Sequence, residues 1–476
     1  MENFLTRRKF LAGTAGGALA AGITGAGLTG IHPAIAQVQG YKPVWESLDS
    51  HTCPDWFDDA KIGMYFHWGV CAVPGWAPRK DGISYAEWYW YQMNNPDNPT
   101  WKYHRETYGE NFTYDDFIPM FKGERYDPEN WISFAAQTGA KYVFVNAKHH
   151  DGYCLWPTKL TRRNVSEMGP ERDIIGPLVA AARRAGMKVG FYYSFYEWYN
   201  PIYTGKPFEY TGLMPANDYV DDFMLPQIEE LVELYNPDFF YFDGEWDHPP
   251  EFWKSRDFVA AYYNRAAKRG QEVMVNDRYG KGSRGHHGDV YNVEYHYGVE
   301  SEGLLDHKWS YWRGVGKTYG YNRDTNPEDC LTVKELVHMV VNGVSRNGNY
   351  DINVGPTADG IISDVEREPL LALGKWLRVN GEGIYGTRPW ETTDEKDIRF
   401  TAKDDYVYAI FLKWQEERFR IKSLTAVEGS PVTMLGAPGE LQWHQDGEGL
   451  VIDYPQYKSR PAKCSYAWAF KIRVKG

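Results

Sequence analysis

Cysteine is scarce and unpatterned in this chain. Five residues of 476, Cys53, Cys71, Cys154, Cys330 and Cys464, form no C-x-x-C pair, which argues against both a zinc site and a disulfide framework. The odd count leaves at least one thiol free or paired between chains. Beyond residue 40 no stretch approaches ~18 consecutive apolar residues, so no membrane span is expected after the leader. Cationic surface is short as well: 52 Lys and Arg stand against 64 Asp and Glu, a net charge of -12. That balance excludes nucleic acid and anionic membrane as general partners. No Gly-x-Gly-x-x-Gly follows an early strand, which removes the main support for a nucleotide-binding fold.

What the chain has in abundance is rings, with 19 Trp, 36 Tyr and 22 Phe. Its first forty residues stand apart. "TRRKFL" (Thr6 to Leu11) sets two arginines before an uncharged Ala/Gly-rich stretch that ends in Ala34-Ile35-Ala36. An n-region, a weak h-region and an A-x-A site read as a cleaved leader of the bacterial twin-arginine type over residues 1–36. A periplasmic or secreted protein is expected, with no membrane anchor after cleavage.

Eight apolar runs follow, at 61–69, 141–148, 188–194, 239–244, 272–278, 290–295, 307–313 and 349–356. Helical patterns lie between many of them. Asp127 caps one with Pro128 at its first position, and it closes near Gly139. Another opens on the capping-box sequence Ser363-Asp364-Val365-Glu366 and stops at Gly381. Strand alternating with helix eight times predicts a (β/α)₈ barrel over residues 37–386. From residue 387 to 476 short β-rich segments without helices predict a small antiparallel β-sandwich, either an accessory binding module or a packing cap.

The C-terminal strand ends of such a barrel face the active site. His67, Lys148, His149, His150, Tyr193, Asp243, Arg278 and Glu294 are therefore expected to converge. Neighbours on a strand point to opposite faces, so His149 and His150 both reach the site only where the strand is already turning, and Asp151-Gly152 supports that turn. A zinc site wants H-x-H or H-E-x-x-H, and the adjacent pair offers neither; no metal ligand is assigned. Buried structural histidines are the plainer alternative, weakened by Lys148 and Asp151 beside them, because buried charge is costly. Asp243 emerges from Phe239-Phe240-Tyr241-Phe242 just before Gly244. Glu294 lies between Val293 and Tyr295, a desolvated setting that suits a proton donor. Two carboxyl groups facing each other are what glycoside hydrolysis needs, one to attack the anomeric carbon and one to protonate the leaving oxygen.

The blocks "WFDDAKIGMYFHWGV", "SYAEWY", "AKHHDGYCLWPT", "VGFYYS", "YFDGEW", "VNDRYG", "HKW", "YGYNR" and "NGNYDINVGPTADG", in this order from about Trp56 to Trp390, resemble the signature blocks of the α-L-fucosidases of glycoside hydrolase family 29. The resemblance implies an exo-acting, retaining enzyme that works through a covalent fucosyl intermediate, without metal or organic cofactor, on fucosylated oligosaccharides or glycoconjugates. Its nucleophile would be Asp243, with Tyr241 replacing the tryptophan of the W-x-D-G block as one wall. Fucose contacts would fall on His67, Glu87, Trp88, His149, His150, Tyr193 and Arg278. The family's acid/base position varies; Val293-Glu294-Tyr295 matches one variant, and the other, the residue after "HKW", is Ser310 here. Glu294 is thus the expected acid/base, with Glu300 and Glu302 as alternatives. Two other readings stand beside this one: a sugar-binding relative that lost catalysis, with Ser310 as the trace, and a glycosidase for L-galactose or sulfated fucose. Leaving-group preference is expected to reside in the loops 76–81 and 280–288, and the oligomeric state is left open.

Overall fold

The eight apolar runs pair side by side as parallel strands. They are β1 (Ile62–Phe66), β2 (Tyr142–Lys148), β3 (Lys188–Ser194), β4 (Phe239–Asp243), β5 (Met274–Val275), β6 (Tyr291–Val293), β7 (Trp309–Gly314) and β8 (Gly348–Val354). A computed structural model of the protein describes residues 40–79, 82–200, 203, 219–295, 306–415, 418–453 and 465–474; the expected leader and Cys464 lie outside them.

The strands follow the order β5-β4-β3-β2-β1-β8-β7-β6. One parallel bridge, Asn276 with Val290, joins the two ends of that order. Asp289 reinforces the seam: its N–H donates to Val275 O at 3.1 Å, and its carboxylate accepts from Val275 N at 2.9 Å and Tyr263 Oη at 2.8 Å. Strands buried on both faces read as continuous apolar runs, which is why all eight were visible in the sequence. Alternation with helices is less regular than expected, since no helix occurs in 276–290 between β5 and β6.

The barrel interior is packed with rings, among them Tyr65, Tyr142, Phe144, Tyr192, Phe239, Tyr241 and Trp312. Glycines on adjacent strands make room for them. A Cβ on Gly63 would sit 2.1 Å from the Tyr142 ring, and one on Gly190 would sit 2.4 Å from Phe239. Neither position tolerates a side chain without displacing a core ring.

Helices cover the outside. Pro128–Thr138 begins as expected, with Asp127 accepting from Glu129 N and Asn130 N, and ends at left-handed Gly139. The helix Asp364–Asn380 differs at its start: Ser363 makes no side-chain cap. Its Glu366 carboxylate is buried and accepts from Gly355 N at 3.3 Å, so the box sequence serves a tertiary contact.

The C-terminal segment is antiparallel: β9 (Arg388–Glu395), β10 (Ile398–Lys403), β11 (Tyr406–Phe411), β12 (Phe419–Ile421), β13 (Val432–Met434), β14 (Glu440–Asp446), β15 (Gly449–Asp453) and β16 (Trp468–Arg473). They form one sheet in the order β12-β15-β14-β13-β16-β11-β10-β9. Phe419 of edge strand β12 packs on Phe411 of β11 and Phe470 of β16, with centroids 4.5 and 5.2 Å apart. The sheet therefore curls over a core of its own, giving sandwich-like packing. It is pinned to the barrel helices by Trp376 Nε1 donating to Ala467 O (3.0 Å) and Arg399 Nε donating to Asn342 Oδ1 (2.6 Å).

Candidate active site

A cavity of about 460 Å³ opens at the C-terminal ends of the strands. His67, Glu87, Trp88, His149, His150, Asp243, Arg278 and Glu294 all line it, so eight of the eleven residues singled out from the sequence come together. Lys148, Tyr193 and Tyr241 do not.

The reason is strand phase. On β3 Tyr192 points inward, and its hydroxyl donates to Asp243 Oδ2 at 2.7 Å. Tyr193 therefore points outward, donating to Gln227 Oε1 at 2.7 Å. Tyr241 does face the interior, but one layer below the cavity. Its hydroxyl donates to Asp351 Oδ2 at 2.8 Å, and its ring meets Trp312 edge-on at 4.5 Å. Trp312, not Tyr241, forms the wall. Lys148 also leaves the group: a register shift between Asn146 and Lys148 breaks the alternation of β2. Its ammonium is buried against Glu197 Oε2 (2.5 Å) and Tyr219 Oη (2.9 Å), while His149 and His150 are turned toward the cavity.

Side chains stand in for ladder bonds where the short β5 ends. Asn276 pairs with the Phe242 backbone in both directions, at 2.9 Å each. Asp277 accepts from Gly285 N (2.9 Å) and Asn292 N (3.0 Å). Three of these bonds hold β4 and β6 against the chain just before Arg278, and the fourth ties down the segment at Gly285. The Arg278 guanidinium then spans two carboxylates, with Nη1 on Asp243 Oδ1 and Nη2 on Glu294 Oε1. Both acids thus lie within one arginine head of each other.

Burial on its own would push the Asp243 carboxyl up. Arg278, His150, the Tyr192 hydroxyl and the Gly244 N–H outweigh it and hold Asp243 below the usual carboxylate range. Glu294 is not in the dry setting its sequence neighbours suggested, because its side chain is 23% exposed and paired with Arg278. It lies just past the end of β6, where its apolar neighbour in sequence does not dictate its surroundings.

The histidines are neutral at ordinary pH. Burial, then the nearness of His150, pushes His67 down to about 3 and His149 well below its usual value. Burial likewise lowers His150 to about 4, although Asp243 opposes the shift. Ser194 donates to Tyr196 O (2.7 Å), so it accepts from His150 Nδ1–H (2.6 Å), which leaves Nε2 as the acceptor facing Asp243 at 3.9 Å. Both nitrogens of buried His67 have no hydrogen-bond partner among the described residues. Glu87 accepts from Thr318 Oγ1 (3.0 Å) and Gly320 N (2.9 Å); burial raises its carboxyl. A neutral-imidazole wall with open ring nitrogens is suited to hydroxyl groups.

This geometry is accompanied by likeness along the whole chain. Residues 30–382 match the family described as alpha-L-fucosidase, and residues 391–473 match the alpha-L-fucosidase C-terminal domain. The chain belongs to the α-L-fucosidase family. The tissue alpha-L-fucosidase of Rattus norvegicus is 37% identical over 461 residues, covering 94% of this chain and 97% of its own. That of Homo sapiens is 37% identical over 440 residues, with 91% of each covered. A crystal structure of Thermotoga maritima alpha-fucosidase in complex with a mechanism-based inhibitor superposes with a TM-score of 0.79 at 38% identity, covering 91% of this chain and all of the other. The same enzyme in complex with fucose gives 0.78.

All residues lining the cavity fall inside the α-L-fucosidase match. Sequence reasoning missed several of them. Tyr192 was one residue out of phase and could have been found by counting alternation back from the strand end. Trp246, just after the Asp243-Gly244 turn, was not singled out. Its neighbour Glu245 does not line the cavity but is buried, and its Oε2 has no hydrogen-bond partner among the described residues; burial first, and then the Asp243 charge, push it up to about 6. Ser310 has a structural account. It is buried on β7, 3.2 Å from Tyr241 Oη and 3.4 Å from Asn292 Nδ2, in the layer beneath the cavity. Glu300 and Glu302, the alternative acid/base residues, lie outside the described residues.

Proposed function

We propose that the chain is an exo-acting, retaining α-L-fucosidase that removes terminal α-L-fucose from fucosylated glycans. The observation that carries this reading is the single guanidinium shared by Asp243 and Glu294. It brings the two carboxyl groups to one pocket, as a pair acting on a single anomeric carbon requires.

In the first step the ionised Asp243 carboxylate attacks the anomeric carbon. The bond from that carbon to the leaving oxygen breaks, and the oxygen takes the proton that the part-exposed Glu294 carboxyl has drawn from solvent on turning away from Arg278. The product is a fucosyl ester on Asp243. In the second step Glu294, now a carboxylate, removes a proton from water, the water oxygen bonds to the anomeric carbon, and Asp243 departs. The Tyr192 hydroxyl and Arg278 steady the charge that Asp243 loses and regains. His67, His149, His150 and Glu87 offer partners for the sugar hydroxyls, and Trp88 and Trp312 cover apolar faces. The sequence needs two carboxyl groups and water.

Among the described residues that line the cavity, Arg278 is the only Lys or Arg, and two carboxylates already occupy it. A sulfated glycone would find no spare cation, which favours fucose. Export by the twin-arginine leader, to periplasm or medium, is proposed from Arg7 and Arg8 and the Ala34-Ile35-Ala36 site.

The test is incubation with para-nitrophenyl α-L-fucoside. Many turnovers per molecule are expected. Tight fucose binding with no nitrophenol release would instead give the chain to the non-catalytic reading.

A further inference from the structure

Of nineteen tryptophans, Trp246 is the one with an exposed side chain, at 36%. It follows Asp243 by three residues and stands at the cavity rim. Other rings hold it from its edges: Trp88 at 6.1 Å, His150 at 5.4 Å and Tyr196 at 5.7 Å between centroids, with interplanar angles of 35°, 61° and 55°. None of the three stacks flat on it.

An indole kept in water beside a catalytic pocket, but braced in one orientation, marks a binding surface more than a packing accident. The cavity has two textures. Asp243 is surrounded by polar partners, Arg278, the Tyr192 hydroxyl and His150; Trp246 is surrounded by rings, Trp88, His150 and Tyr196, with Tyr91 behind Trp88. A deoxyhexose at interior density fills on the order of 150 to 200 Å³, well short of the whole. With the reacting carbon at Asp243 and the terminal sugar inside, whatever continues toward the rim is the leaving group.

We propose that Trp246, backed by Trp88, is the platform for the first sugar of the leaving group, a hexopyranose presenting an uninterrupted C–H face, of which β-D-galactopyranose is the type. This rests on the fucosidase reading. It moves leaving-group preference away from the loop containing Trp76, whose ring stacks on Tyr103 at 4.0 Å and does not line the cavity.

The experiment compares α-L-fucosyl fluoride, which has no leaving sugar, with the α-L-fucosyl-β-D-galactoside linkage isomer that wild type cleaves fastest. In Trp246→Ala the ratio of kcat/KM on the galactoside to kcat/KM on the fluoride should fall about tenfold. Trp246→Phe, which keeps a ring, should hold that ratio within about threefold of wild type. Equal losses on both substrates would make Trp246 a purely structural residue and overturn the proposal, as would an unchanged ratio. A wild-type enzyme that hydrolyses the fluoride but none of the galactosides would overturn the platform and leave the fucosidase reading intact. Failure on the fluoride as well would remove both.

Discussion

Asp243→Ala is expected to lower kcat for para-nitrophenyl α-L-fucoside by on the order of 10⁴-fold or more, with the fold retained. The carboxylate is the group placed to bond to the anomeric carbon. It is also buried at the meeting point of Arg278, Tyr192 and His150, so its loss leaves the guanidinium with Glu294 as its remaining acid contact in the cavity. Added azide fits the space the carboxylate vacates. It should restore turnover and yield β-L-fucosyl azide, because one displacement now replaces two. A carboxylate that only positioned substrate would give a rate loss without azide rescue. Asp243→Asn, which preserves the shape, should show the same kinetic loss with an unchanged melting temperature, separating chemistry from unfolding.

Glu294→Ala carries the second large effect, and it should depend on the leaving group. A fucosyl galactoside needs protonation of its departing oxygen, so kcat/KM should fall by roughly 10²- to 10⁴-fold. Para-nitrophenolate departs unaided, so kcat/KM on the nitrophenyl substrate should fall far less, while kcat drops because the fucosyl ester waits for an activated water. Azide should relieve that block and give α-L-fucosyl azide, the opposite configuration to that from the Asp243 variant. Equal losses on both substrates would take the acid role from Glu294. Glu245, buried near Arg278 and pushed up to about 6, would then be the described carboxyl to test next.

The barrel was legible because parallel strands buried on both faces are written as unbroken apolar runs, several of them ending on a polar residue at the catalytic face. The site was legible to the extent that strand ends are. His67, Asp243, Arg278 and Glu294 needed only the rule that such ends converge. Phase was harder. Tyr193 was named where Tyr192 turns inward, a phase that the Tyr-Tyr pair does not show by itself and that only counting alternation along β3 would give. The break in β2 that sends Lys148 to Glu197 and the histidines to the cavity depends on pairing with β3, which a single strand does not encode. Glu294 shows the limit of reading burial from neighbours, since its side chain is 23% exposed and paired with Arg278 although Val293 and Tyr295 flank it. Trp246 was invisible for the opposite reason: a tryptophan is ordinarily core, and nothing in "DGEW" shows that this one stands in water.

The central claim is that Asp243 and Glu294 act together in two successive displacements at one carbon. It is tested most directly by proton NMR of the first sugar released during rapid hydrolysis of para-nitrophenyl α-L-fucoside, before the anomers equilibrate. The account predicts α-L-fucose first, with the β anomer growing in only by mutarotation. β-L-fucose as the initial product would mean a single displacement by water, and the covalent role of Asp243 would be contradicted.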